Sequence, residues 1–362
     1  MVDLLAPLKF KSVRDYSLTG PERQRAFDDG LVNADWYQTP VDRKVLKELM
    51  KRDDGPALRD TAIWLGLLAL TGAGGVWFWG TWLAVPFFVV YGVLYGTSSD
   101  SRWHESLHGS AFKTSWMNNA LYQLASFMQI WNPVIWRWSH MRHHTDTTIV
   151  GRDREIGTMR PPQMILMALN LIGLTSVPQN LAILVRHARN RFTPDERDFV
   201  PELELPKATM VARIHVAIYL GVVILCILTR SILPAMLIGL PRAYGVWFLL
   251  TIGLPQHVGL AEDVLDHRLN SRTFLLPAPV RFLYWNMNYH VEHHMYPLVP
   301  YHALPRLHEV VRHDCTPAVG FWATWKIILP TMLRQLRDPN YFIHNELPPG
   351  AGAARKGPRD IH

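Results

Sequence analysis

Eight histidines fall into three short clusters: His104-Glu-Ser-Leu-His108, His140-Met-Arg-His143-His144 and His290-Val-Glu-His293-His294. On a helix, positions i, i+3 and i+4 share one face. Each cluster therefore sets two or three imidazoles on a single stripe. Neutral imidazole is the commonest metal-binding side chain near neutral pH. Eight imidazoles exceed the coordination shell of one ion, so the set implies two metals. Imidazole suits Fe, Cu, Zn and Ni alike, so ligand type does not choose the ion. Taken alone, His104 to His108 also fits H-E-x-x-H, the zinc-protease helix, with Glu105 as general base. That reading leaves the six other clustered histidines without a role.

The elements that must position these clusters are apolar. The chain has 362 residues, 49% hydrophobic and only 19% charged, with 14 Trp. Ordinary soluble domains are about a quarter charged, and Trp favours membrane–water interfaces. Residues 61–99 hold no charged side chain. As helix they would run ~58 Å, close to twice a ~30 Å hydrocarbon core. A hairpin turning near Gly80 is expected there. A second apolar region, 208–257, is interrupted at Arg230 and Pro234 and reads as another hairpin. Arg213 and Arg242, near its ends, are expected to snorkel to an interface. The expected fold is an all-α integral membrane protein with four transmembrane helices and a cytosolic helical cap holding a di-metal site.

Three clusters serving one centre must lie on one side of the membrane. The chain between any two must then cross an even number of times. Residues 208–257 supply two crossings between the second and third clusters. The uncharged stretch 162–185, broken by Gly173 and Pro178, is therefore expected to lie in the interface, as is 114–138. Lys and Arg number 11 in residues 1–60, 12 in 98–207 and 11 in 258–362. By the positive-inside rule all three segments face the cytosol, of a bacterial inner membrane. The expected organisation is a cytosolic segment 1–60, a membrane domain 61–310, cytosolic or interfacial helices 311–346 and a disordered tail 347–362. The start, MVDLLAPLKFKSVRD, shows no signal-peptide pattern. The net charge of +7 comes from Lys and Arg spread without a compact stripe, against nucleic-acid binding.

The three clusters, in this order and interleaved with two apolar hairpins, resemble the histidine boxes of the membrane fatty-acid desaturase and hydroxylase family. The likeness spans roughly residues 60–310. The stretch WNMNYHVEHHMYPLVPYHALPRLHE, residues 285–309, is especially similar to bacterial desaturase-like oxygenases such as those of rhizopine catabolism. The resemblance implies two Fe ions that use O2 to attack an unactivated C–H bond. It implies a ninth ligand at the cytosolic end of the last membrane helix, for which His257 stands, with His267 as fallback. The expected activity is a lipid or fatty-acyl desaturase or hydroxylase. The alternative is a monooxygenase that hydroxylates or O-demethylates a small non-lipid substrate. A non-redox zinc hydrolase or receptor is the reading of another class, and metal content discriminates it.

Carboxylates near the boxes are candidates to accept the free N–H of the imidazoles: Glu105, Asp146, Asp153, Glu262, Asp263 and Glu292. The sequence offers no place to collect electrons. It has no GxGxxG in a strand–turn–helix setting, no His-Pro-Gly-Gly, and only two cysteines, too few for an iron–sulfur cluster. No haem, flavin or NAD site is recognisable. A separate donor is expected: a ferredoxin, the Rieske type included, with its reductase, or a cytochrome b5-like protein. Arg137, Arg142, Arg152, Arg154, Arg268, Arg272 and Arg281 are expected to form its docking face.

Overall fold

A computed structural model describes residues 10–357. The fold is mostly helical, with one two-stranded parallel ladder, β1 (Phe274–Leu275) beside β2 (Val319–Gly320). Two short helices, α1 (Pro21–Asp28) and α2 (Arg43–Leu49), lead into α3 (Asp54–Trp77). Asp53 caps α3 by accepting from the Gly55 N–H, the usual use of an N-terminal carboxylate. The chain turns at Gly80, whose φ of +85° suits glycine, and returns as α4 (Ala84–Gly96). After Thr97 it continues as α5 (Ser98–Leu107). The first hairpin thus carries the first box on its returning arm. Trp64 and Leu68 are buried inside it, while Ile63, Leu65, Leu67 and Leu70 face outward.

Next come α6 (Ser115–Met128), α7 (Pro133–Thr145), α8 (Met164–Asn170), α9 (Ser176–Ala188) and α10 (Pro194–Phe199). The second apolar region forms α11 (Leu205–Thr229), α12 (Leu233–Leu237) and α13 (Leu240–Gly253). Arg230, in the left-handed conformation, closes α11. Two helical stretches, Glu202–Thr229 and Leu233–Gln256, are long and apolar enough to cross a membrane. Most of the apolar window of the first is exposed, unlike the core helix of a soluble protein.

α13 packs against α4 at backbone distance. A Cβ built on Gly245 would stand 1.8 Å from the Gly92 carbonyl oxygen, and one on Gly96 2.9 Å from that of Pro241. Gly92 and Gly96 form the small-xxx-small pattern that lets membrane helices approach closely. Thr97 Oγ1 donates to the Gly245 carbonyl at 2.8 Å. Arg242 does not snorkel outward. It is buried between these helices, with Nη1 3.4 Å from the Gly96 carbonyl.

The chain continues as α14 (His267–Asn270), α15 (Ala278–Leu283), α16 (His290–Met295), α17 (Leu304–Val311) and α18 (Phe321–Gln335). Its largest core cluster runs from Trp64 and Tyr95 through Trp285, Tyr289 and Met295 to Leu307 and Val311, tying the first hairpin to the third box. The tail departs from the composition-based expectation as far as it is described. Asp314 accepts from the Gly352 N–H at 2.6 Å, Arg268 donates to the Gly352 carbonyl, and Asp266 accepts from the Arg355 N–H. Its backbone groups complete a buried ion-pair cluster, which sequence composition does not reveal. Residues 1–9, expected to lack a signal peptide, and 358–362 of the tail lie outside the described residues.

Candidate metal centre

α5, the continuation of α4, carries His104, and His108 closes it. α7 starts where Asn132 accepts from the Val134 N–H, with Pro133 in its first turn, and carries His140, His143 and His144. α16 carries His290, His293 and His294. His257 follows a single helical turn, Leu254–Gln256, at the end of α13. The α4–α13 contact thus fixes the spacing between the first box and His257.

The nine imidazoles sort into two groups. His104, His108, His140, His144 and His293 form one, and His143, His257, His290 and His294 the other. Within each, the potential ligand atoms all lie within 4.8 Å of one another. Alternation along α7 and α16 makes this split: His143 and His144 are neighbours in sequence but point to different groups, as do His293 and His294. The fallback His267 belongs to neither group. It is buried and stacked on Trp36 at 4.3 Å.

Facing Nε2 atoms are 2.7 Å apart for His104 and His293, and 3.2 Å for His140 and His144. In the second group they are 2.8 Å apart for His257 and His290, and 3.0 Å for His290 and His294. Two nitrogens each ~2.1 Å from one ion, at right angles, would stand ~3.0 Å apart. His108 Nε2 is buried with no partner. Burial and neighbouring imidazoles hold His108, His144, His257, His290, His293 and His294 well below the ordinary histidine range. These are neutral lone-pair donors turned toward each other, so the residues fit a pair of metal ions.

Two carboxylates orient the rings. His143 Nδ1 donates to Asp153 at 2.8 Å, and His140 Nδ1 to Glu155 at 2.9 Å. The Asp153 carboxylate is itself held by the Thr148 and Glu155 N–H groups, and Glu155 also accepts from Ser139. His257 Nδ1 uses the Asn270 backbone carbonyl at 2.9 Å, and Thr147 Oγ1 lies 3.3 Å from His294 Nδ1. Of the six expected carboxylates, Asp153 bonds a box histidine, and the other five bond other partners among the described residues. Glu105 accepts from the Tyr301 N–H, Asp146 from Arg152, and Glu262 from Tyr16 beside Arg160. Asp263 pairs with Arg14 and the Val150 N–H. Glu292 accepts from Thr273 and His308. Each sits near a box in sequence but lies on the opposite side of its element or loop, where cations and N–H groups claim it. Glu155 was not among the expected carboxylates: in Arg-Asp-Arg-Glu it reads as a surface ion-pair partner, and no local signal separates it from that.

Each of the seven expected docking arginines has a contact within the described residues. Arg152 and Arg268 are buried in ion pairs with Asp146 and with Asp266 and Asp314. Arg142 binds Asp198, and Arg154 lies over Trp136 within 3.9 Å of Glu196. Arg272 donates to the Pro255 and Val258 carbonyls. Arg137 lies over the Tyr122 ring and Arg281 donates to Tyr289.

Carboxylates that hold ring N–H groups typically change metal affinity 10–100-fold when lost. Asp153→Asn and Glu155→Gln should each weaken metal retention by about that factor in a chelator competition. Asp146→Asn should not, because its partner is Arg152; equal losses in all three would show that ring orientation is not what Asp153 and Glu155 provide.

The helices bring the three histidine boxes and His257 into two imidazole groups, each of which could hold a metal ion. A family model, Fatty acid desaturase, matches residues 80–325, and the chain belongs to that family. No curated protein matches the chain.

Proposed function

We propose that this chain is an integral membrane, O2-dependent di-iron oxidoreductase that oxidises an unactivated C–H bond. The observation that carries the reading is the division of nine imidazoles, six buried and three half-buried, into groups of five and four. Either group suffices to hold one ion, and imidazole is compatible with iron. Bound iron would supply the redox chemistry of O2 activation, which zinc cannot. Asp153 and Glu155 keep the Nδ1 protons of His143 and His140 in place, leaving Nε2 free for an ion. Trp103 packs against His140 at 5.2 Å and His104 at 6.1 Å, walling water from the first group. Loss of a second hydrogen would give an alkene and hydroxyl transfer an alcohol; the position in which the substrate carbon is held decides between them. Reducing O2 to water while oxidising one C–H bond needs two external electrons, which we assign to a separate ferredoxin or cytochrome b5-like donor. Metal analysis of the purified protein tests the assignment: about two irons per chain are expected, and zinc alone would replace it with a hydrolase.

We further propose four spans, α3, α4 with α5, α11, and α12 with α13, and a cap facing the cytosol. At 1.5 Å per residue, α8 and α9 are only ~10 and ~20 Å long, too short for a ~30 Å core. Gly173 breaks them apart at a φ of +68°. That supports an interfacial course for 162–185 and keeps the boxes on one side. A single cysteine at position 173, in a chain otherwise free of cysteine, should react only with reagent added to the cytosolic face. Labelling from the outer face would mean that the segment crosses.

A further inference from the structure

α14 is four residues long, yet it braces two of the four rings in the second imidazole group. Its last residue, Asn270, offers the backbone carbonyl that accepts from His257 Nδ1 at 2.9 Å. Asn270 Nδ2 donates to the Thr147 carbonyl at 3.1 Å, and Thr147 Oγ1 is the group beside His294 Nδ1. Its first residue, His267, lies 4.9 Å from the His294 ring. Just beyond α14, the Arg272 N–H donates to the Gln256 carbonyl at 2.8 Å, and the Arg272 guanidinium to those of Pro255 and Val258. Every residue from Pro255 to Val258, the turn that carries His257, is thus tied to this one short segment.

Helices shorter than ~12–15 residues are marginal on their own, so α14 cannot fix the Asn270 carbonyl by itself. Residues 345–355 hold it. Arg268, buried within α14, donates from Nε and Nη2 to Asp266, from Nη1 to Asp314 and from Nη2 to the Gly352 carbonyl at 3.1 Å. The Arg268 carbonyl accepts from Asn345 Nδ2 at 2.9 Å. Both carboxylates are shared with the same stretch. Asp314 accepts from the Gly352 N–H at 2.6 Å, and Asp266, the N-cap of α14, from the Arg355 N–H at 3.2 Å. The Leu265 N–H donates to the Arg355 carbonyl at 3.2 Å. The Tyr37 ring lies 3.5 Å from the Arg268 guanidinium, and a Cβ on Gly352 would stand 2.0 Å from Tyr37 Oη. Valine at 352 must therefore push the stretch off Tyr37.

We propose that residues 345–355 form a strap that positions His257 through α14, and that Arg268, Asn345 and Gly352 are positioning residues for the second metal ion. The inference rests on the two-iron reading above. The acceptor for His257 Nδ1 is main chain, so no side chain at 270 supplies it, and the placement of α14 alone aims it. The first group takes its orientation elsewhere, from Glu155 on His140. The strap therefore bears on one ion and not on the other.

The test compares the full-length wild type with Asn345→Ala and Gly352→Val, each loaded with iron, reduced and kept free of oxygen. Release of Fe(II) to ferrozine is followed by absorbance, and the iron left behind by Mössbauer spectroscopy. Loss of a group that orients a ligating histidine typically changes metal affinity 10–100-fold. One iron should leave about tenfold faster or more in each variant, and the other at the wild-type rate. The iron that stays should give the spectrum of the one retained in His143→Ala, which loses a ligand of the same group. Asn345→Ala removes a single donor and keeps the buried ion pairs, so it decides the question where Gly352→Val fails to fold. Unchanged release from Asn345→Ala would overturn the proposal. Equal acceleration of both irons would make the strap a general support and overturn it as well. A wild-type protein holding zinc, or a single iron, would instead remove the two-iron reading, a result separate from the release pattern.

Discussion

Alanine at His143 should leave about one iron per chain in place of about two, and turnover should fall more than ~100-fold. His143 is the one contribution of α7 to the second group, and it carries the Asp153 hydrogen bond. Removing it leaves His257, His290 and His294, a set of three with no carboxylate-oriented ring. His293→Ala should do the same to the first group, where His104, His108, His140 and His144 remain. The two variants should therefore lose different irons, distinguishable by Mössbauer or paramagnetic resonance spectra of the remaining ion. His313→Ala is the control: His313 is exposed and bonds the Val310 carbonyl, outside both imidazole groups. Full iron retention in His143→Ala would remove the second group as a metal site.

The three boxes are legible because helical spacing alone puts their imidazoles on one face. The partition into five and four is not, since it depends on how α7 and α16 cross and on which of two adjacent histidines points each way. His257 could be placed from its position at the end of an apolar run, with His267 only ten residues on. What separates them is the turn Leu254–Gln256, which aims His257 inward, whereas His267 opens α14 and stacks on Trp36. Nearness in sequence misled for the charged residues. Glu105 and Glu292 sit inside boxes, yet each faces away from its histidines, toward the Tyr301 N–H and toward Thr273 and His308. Residues i and i+1 on a helix do not share a face, so a carboxylate adjacent to a ligand is poorly placed to serve that ligand. Glu155, 15 residues from His140, reaches it through a loop that returns along α7.

The contact between α4 and α13 was also hidden, because Gly92, Gly96 and Gly245 lie in apolar runs where glycine carries no chemical signal. It yields the second large effect. Gly245→Leu should abolish the native packing, for its Cβ alone would lie 1.8 Å from a backbone oxygen of α4. Overpacking that side chains can absorb costs about 1–3 kcal/mol. Here the obstacle is main chain, so the helices must separate, and a loss of at least ~3 kcal/mol is expected. Separation also breaks the bond from Thr97 to the Gly245 carbonyl. It moves α5, which carries His104, away from the segment that carries His257. Iron content should therefore fall along with stability, although residue 245 touches no histidine. Gly221→Ala is the matched comparison: it lies in α11, where an added Cβ meets nothing within 4 Å. There the change removes a flexible residue from a helix and should be neutral or stabilising by up to ~1 kcal/mol. Thermal unfolding in detergent, read beside iron per chain, distinguishes the two. Equal behaviour of Gly245→Leu and Gly221→Ala would mean that the α4–α13 contact does not hold the two halves of the metal centre together.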